Sequence, residues 1–295
     1  ANPHLNGTLN AIYDMNGAKG GYLYLNGKFE NGDAKFAPFY YPLIIGEETI
    51  GWLDTSIISG KANNVQLTVK GSIDDFPYVD KANKPDPSLG TFRLSARIDD
   101  AVLEYGNSWP RIEGLGLNML FEGNSMMLDA DKGTTSGINI IRAKAMIPEL
   151  STYGVDAQVL NIDGIAEGPV TKGITFINTS PVQKVTLGFT DDLKTAGIGK
   201  LNINLSLPLN EIEASTFKGE YTINNGVMYA NERMGLPKIT NINGKLNFDE
   251  LGINAKVINA SILGGPASFH LQTTGDQTIS INANGAATGA GIKQF

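Results

Sequence analysis

Residues 90–130 read GTFRLSARIDDAVLEYGNSWPRIEGLGLNMLFEGNSMMLDA, and this stretch decides the fold. Phe92, Leu94, Ala96 and Ile98 alternate with Arg93, Ser95 and Arg97. Past Trp109-Pro110 the alternation resumes through Leu115, Leu117, Met119 and Phe121, then through Met126, Leu128 and Ala130. Period-two apolar spacing gives a strand one greasy and one wet face, so the stretch predicts three strands and two turns. The same figure returns later. Phe92, Ile98 and Val102 match Phe217, Ile223 and Val227 at a constant offset, and after two added residues Pro110-Arg111-Ile112 match Pro237-Lys238-Ile239. Met119, Phe121, Met126 and Ala130 then match Leu246, Phe248, Ile253 and Val257. A repeated β unit predicts an elongated array.

On the N-terminal side, Leu5, Leu9, Ala11 and Tyr13 alternate, as do Leu23, Leu25 and Phe29. Val65, Leu67, Val69 and Ile73 make another strand. FAPFYYPLII (36–45) holds two prolines and reads as a crossover or edge segment. One helix is expected at about 47–58, with Ile50, Leu53 and Ile57 on one face, acidic Glu47 and Glu48 near its positive end, and Trp52 as its anchor. KANKPDPS (81–88) reads as an exposed loop. On the C-terminal side, Ile138 to Ile147 predicts a strand with a bulge, Leu160 and Ile162 a short one, and Gly164 to Gly173 a loop. Leu201, Ile203, Leu205 and Leu207 alternate cleanly with polar residues. Phe269, Leu271, Ile279 and Ile281 close the pattern ahead of a frayed GAATGAGIKQF tail.

The 295 residues exceed a comfortable single core, so two domains or one extended structure is expected. Glycine, at 35 residues, supplies positive-φ turn positions for a chain that turns often. A net charge of −7 argues against nucleic acid as a partner. With no cysteine there are no disulfides and no thiolate chemistry. No run reaches the roughly 18–20 apolar residues of a membrane helix. The start, ANPHLNGTLN, has neither region of a signal peptide and begins mid-pattern, as though taken from something longer.

No catalytic or metal-binding residue and no cofactor is expected, and the chain reads as a non-enzyme. His4 and His270 are far apart and without convergent partners in the sequence. Asp74-Asp75, Asp99-Asp100 and Asp191-Asp192 sit at strand ends, where aspartate starts turns. Asp129, Asp131 and Gly133 resemble part of a calcium loop, but Ile140 stands where a bidentate glutamate is needed. More than a dozen half-apolar strands with one helix to cover them pose a physical question. Their apolar face must pack on a second sheet, close into a barrel, or curl around an apolar ligand. The runs are short for membrane-spanning strands of roughly 9–11 residues, which disfavours an outer-membrane barrel.

PLIIGEETIGWLDTSIISGKANNVQLTVKGSIDDFPY (42–78) resembles the central region of YhdP-type proteins of the AsmA-like family. A "WP.I..l...l.f.g" pattern follows at Trp109 to Gly123, with further pieces at FINTSPV (176–182), LNINLSLPL (201–209), GEYTINNG (219–226) and ILGGPA (262–267). The resemblance implies an elongated, curved antiparallel β-sheet groove and a segment of a longer chain anchored in the inner membrane of a diderm bacterium. That chain would cross the periplasm and carry phospholipid acyl chains towards the outer membrane. The groove lining is then expected from Val65, Leu67, Val69, Phe92, Leu94, Ile98, Leu115, Leu117, Met119, Phe121, Met126, Leu128, Leu201, Ile203, Leu205, Leu246, Phe248 and Ile253. The pattern divides into an N-terminal β segment with the helix (1–89), a first repeat (90–215) and a second (216–295), joined in one sheet. The competing expectation is a structural or adhesive β-sandwich or solenoid without a lipid ligand.

Overall fold

The structure, a computed structural model, describes residues 3–16, 20–41, 47–150, 158–184, 190–229, 235–275 and 278–293. It is mainly β. The strands are β1 (Asn6–Asp14), β2 (Tyr22–Glu30), β3 (Gly32–Asp33), β4 (Ile57–Ser72), β5 (Gly90–Leu103), β6 (Ile112–Glu122), β7 (Ser125–Thr135) and β8 (Ile138–Ile147). They continue as β9 (Val159–Pro169), β10 (Thr195–Pro208), β11 (Thr216–Met228), β12 (Ile239–Asp249), β13 (Gly252–Ile262), β14 (Gly265–Thr273) and β15 (Ile279–Gly285). All belong to one 15-stranded sheet in sequence order, β3 alone stepping aside to pair with β4. Every pairing is antiparallel. Strand order runs from β1 to β15 and does not return, so the sheet neither closes into a barrel nor splits into two.

Antiparallel order sorts the connections onto two rims. The helices α1 (Glu47–Ser56), α2 (Val170–Asn178) and α3 (Gly289–Lys293) all lie on the rim reached by β2, β5, β7, β9, β11, β13 and β15. The opposite rim carries the β4–β5 loop and two 3-10 turns, Ile73–Asp75 and Ile212–Ala214.

Hairpin formation is local chemistry. Ser136-Gly137 and Leu263-Gly264 both take two positive φ angles, 50° and 77° in one and 49° and 77° in the other. This is the primed turn whose twist matches that of flanking strands. These two turns stand at the same offset as Met119 and Leu246, so the repeat seen in the side chains is also a repeat of the backbone. Asp100 (φ 52°) and Asn225 (φ 50°) correspond likewise, as do Gly114 (φ 59°) and Asn241 (φ 52°). Each of these four sits where the strand register slips. Gly197 and Asn64 mark further slips. A bulge bends its strand and adds twist. Here bulges recur on neighbouring strands, mostly in the half nearest the helical rim.

Several expectations change. The helix expected at 47–58 ends at Ser56, because Ile57 pairs with Leu103 and is drawn into β4. Trp52 does not anchor α1 and is 47% exposed. Gly164 to Gly173 is not a loop: Gly164 pairs with Ala143 and Ile203, and the chain then enters α2. A side chain at Gly164 would meet Ile203 at 3.2 Å, so the glycine leaves room for a neighbour on the strand. Asp99-Asp100 lies inside β5 at a bulge, not at a strand end. The tail forms α3, and Thr288 donates its backbone N–H to the Leu263 carbonyl at 3.0 Å. Residues 42–45 of the expected crossover, and 294–295 of the tail, lie outside the described residues. The bulge expected in β8 falls between Ile140 and Arg142.

Candidate functional site

Directly opposed residues in a sheet share a face, so the register alone can trace a surface from strand to strand. Val69 opposes Phe92, Leu67 opposes Leu94, Leu94 opposes Phe121, and Ile98 opposes Leu117. Phe121 then opposes Met126, and Met119 opposes Leu128. The trace crosses Ala145 and Ile162 to Leu205, and Ala143 and Gly164 to Ile203. Leu201 opposes Tyr221, which opposes Leu246; Gly219 opposes Phe248, which opposes Ile253. Leu115 opposes Ala101, and Val65 shares the face of Leu67 and opposes Phe29. All of the lining residues named from the sequence therefore stand on one face. Leu9, Leu25, Phe269, Leu271 and Ile281 extend it to both ends of the sheet.

This face is apolar but uncovered along most of its length. Leu115 and Leu117, at 6% and 8% exposed, form a small core with Ala101 and Ala130. The other named residues are only half-buried. The whole chain exposes 18287 Å², against about 12,000 Å² for a compact monomer of its mass. A closed sandwich would not leave such an excess.

Both rims fold over the apolar side. On the helical rim, Phe176 of α2 packs on Trp109 (ring centroids 6.0 Å apart), which packs on Tyr105 (also 6.0 Å). Burial pushes the Tyr105 hydroxyl up to about 12. Tyr221, raised for the same reason, lies across Gly199 with its hydroxyl towards Gly173 of α2. On the opposite rim the β4–β5 loop turns inward. Gly71 and Gly90 oppose each other, and the Tyr78 ring fills the space that two Cβ atoms would take. Tyr78 is 1% exposed, and Phe76 bridges it to Phe92. Burial, then the neighbouring Tyr22 and Asp75, raise the Tyr78 hydroxyl. The segment 81–88 is the exposed loop expected, tethered at Asn83. Asn83 donates to the Pro148 carbonyl at 2.9 Å and accepts from Asn124 at 2.9 Å, tying β4–β5 to the end of β8.

The other face carries the ion pairs. Arg97 reaches Asp131 at 2.6 Å and Asp99 at 3.1 Å, Arg93 reaches Glu122, and Lys245 reaches Glu220. The Arg97 guanidinium holds the Asp131 carboxyl below the usual range. A shallow cavity of about 480 Å³ opens on this polar side among Asn202, Asn247, Asn254 and Gln272. It lies on β10 to β14, away from β6 and the buried cluster around Leu117. The apolar face is the stronger candidate because its size and continuity match an unpartnered hydrophobic surface. Among the described residues no helix is long and apolar enough to cross a membrane.

The sequence missed Tyr78, Tyr105 and Tyr221 as parts of this surface. The glycines beneath Tyr78 and Tyr221 were the available signal, since glycine in a strand often marks close approach of another group.

A family model described as YhdP protein matches residues 1–295. The chain is also similar to the intermembrane phospholipid transporter YhdP of Escherichia coli (strain K12), with 25% identity over 251 residues, 83% of this chain and 19% of that protein. The chain thus spans about a fifth of the length of the curated relative it matches. No solved structure matches. Fold, repeat and whole-chain match agree: this chain belongs to the YhdP family.

Proposed function

We propose that this chain is a segment of a lipid-transfer bridge whose apolar face carries phospholipid acyl chains between two membranes. The observation that carries the reading is the unbroken apolar face, half-buried and without a second sheet over it. Such a face is costly in water, at roughly 25 cal/mol per Å² of apolar surface. Acyl chains would cover it without needing directional contacts. The bulges that bend the strands, and the two rims that fold inward, support a groove with this face inside. Its length also fits. The strands in succession, about 4.8 Å apart, make a surface about 60 Å long, against about 15 Å for one leaflet of a bilayer's hydrocarbon core. Repeated units with an open strand at each end suit a longer bridge, the sheet continuing through the boundaries near 89 and 215. We place it in the periplasm as part of an inner-membrane-anchored protein, following the relative's role as an intermembrane phospholipid transporter.

Transport of this kind needs no bond making, so the face need supply only attraction that is uniform along its length. The test is native mass spectrometry of the purified chain after exposure to phospholipid vesicles. Bound phospholipid, lost when Ile203 and Leu205 are changed to aspartate, is the expected result. A chain that stays free of lipid at all vesicle concentrations would refute the reading.

A further inference from the structure

The two rims differ in charge. Among the described residues, the connections on the helical rim hold seven basic and six acidic residues, a net of +1. Among the described residues, those on the opposite rim hold two basic and eight acidic residues, a net of −6. One rim thus carries a charge close to the chain's whole net of −7. Composition alone hides this, because consecutive connections alternate between the rims and only the antiparallel order separates them.

Two further observations mark the helical rim. Its basic positions repeat with the fold: Arg111, paired with Glu113 at 2.8 Å yet more than half exposed, and Lys238, over the Tyr229 ring, follow equivalent prolines and enter equivalent strands, β6 and β12. Lys172 of α2 lays its stem along Gly137 of the β7–β8 turn. Close to Arg111 and Lys172 in the chain lie Tyr105, Trp109 and Phe176, their rings packed at tilted angles at the border between the apolar face and water. Tyrosine and tryptophan favour such borders because one end of the ring system is apolar and the other polar. On the opposite rim Tyr78 is buried under the β4–β5 loop, and an acidic edge faces water at Asp74, Asp80, Glu211 and Glu213.

We propose that phospholipids lie in the groove with their phosphates along the helical rim, drawn to Arg111, Lys172 and Lys238 and repelled by the acidic rim. This rests on the lipid-transfer reading above and adds an orientation to it. Strands of about 11 residues have a contour of roughly 35 Å. Even bent to half that span, the rims stay further apart than the screening length of about 8 Å at physiological salt. A phosphate at one rim therefore feels mainly that rim's charge. Recurrence of the cation in each repeat would offer similar stations along the path, which suits a cargo that must move on.

The test uses the full chain loaded from phosphatidylcholine vesicles that contain a phospholipid with a nitroxide on its headgroup. Paramagnetic broadening is read at the backbone amides of Gly137 and Gly264 on the helical rim and Gly123 on the other. Broadening of the first two and not of Gly123 is expected. Broadening at Gly123, or equal broadening at both rims, would overturn the proposal. In parallel, Arg111→Glu, Lys172→Glu and Lys238→Glu together should lower capture of phosphatidylglycerol at least about fivefold, taking about that factor for a single cation near an anionic headgroup. Binding of the uncharged probe diphenylhexatriene should not change, which separates headgroup contact from loss of the apolar face. Unchanged phosphatidylglycerol capture by the triple variant would also overturn the proposal. If the unaltered chain captures diphenylhexatriene but no phospholipid, the lipid-transfer reading itself falls, and this orientation with it.

Discussion

Replacing Leu205 with aspartate distinguishes an open groove from a packed core. Leu205 stands in β10, three residues before its end at Pro208, on the apolar face between Ile162 and Phe217, half-buried. Full burial of a leucine side chain is worth about 1.5–3 kcal/mol. At a half-buried position most of that is lost on Leu205→Asp, but the carboxylate keeps contact with water through the open side. We expect a loss of about 2 kcal/mol in urea unfolding, with an unchanged slope. In a closed core the same substitution would bury an unpaired charge and cost well over 4 kcal/mol. Lipid would respond the other way. An ionised group among acyl chains breaks their apolar surroundings, so phospholipid capture should fall at least about tenfold, equivalent to about 1.4 kcal/mol. Unfolding of the variant, or lipid capture within twofold of the unaltered chain, would refute the reasoning.

Further outcomes follow from the rims. Tyr78→Ala should destabilise by about 3–5 kcal/mol, as for other buried aromatic residues, and Gly90→Ala should also be costly, since its Cβ would lie 2.4 Å from the Lys70 carbonyl oxygen; urea unfolding checks both. Trp109→Ala should remove aromatic contacts worth about 0.5–1.5 kcal/mol per pair, and limited proteolysis should then cut within 170–194 at lower protease while the sheet stays intact. In alkaline titration followed at 295 nm, Tyr105 should ionise last, near 12. Its raised value stabilises the fold fully below the ordinary tyrosine range near 10, and that contribution should fade between about 10 and 12. Acid should act at Asp131, whose lowered carboxyl supports the fold above its ordinary range near 4 and loses that support as pH falls through its folded value. Arg97→Met should abolish this part of the acid response.

The sequence by itself determined the β class, the alternation of faces and the repeat. Side-chain period in a strand is two, so Phe92 to Ile98 or Leu201 to Leu207 assigns its own faces without any partner. Chain order also carried the turns, because Ser136-Gly137 and Leu263-Gly264 need only local chemistry. The extent of the strands was not legible in this way. Gly164 reads as a loop until Ile203 and Ala143 lie beside it, and Ile57 reads as helix until Leu103 pairs with it. Nor could a linear pattern show that Tyr78 closes over two glycines, or that α2 reaches back from β9 to Trp109. Those contacts join segments far apart in the chain, and a lone glycine does not say which ring will lie on it. The division of charge between the rims likewise belongs to the tertiary structure. Each acidic loop is ordinary alone, and only the antiparallel order of the strands sets them side by side along one edge.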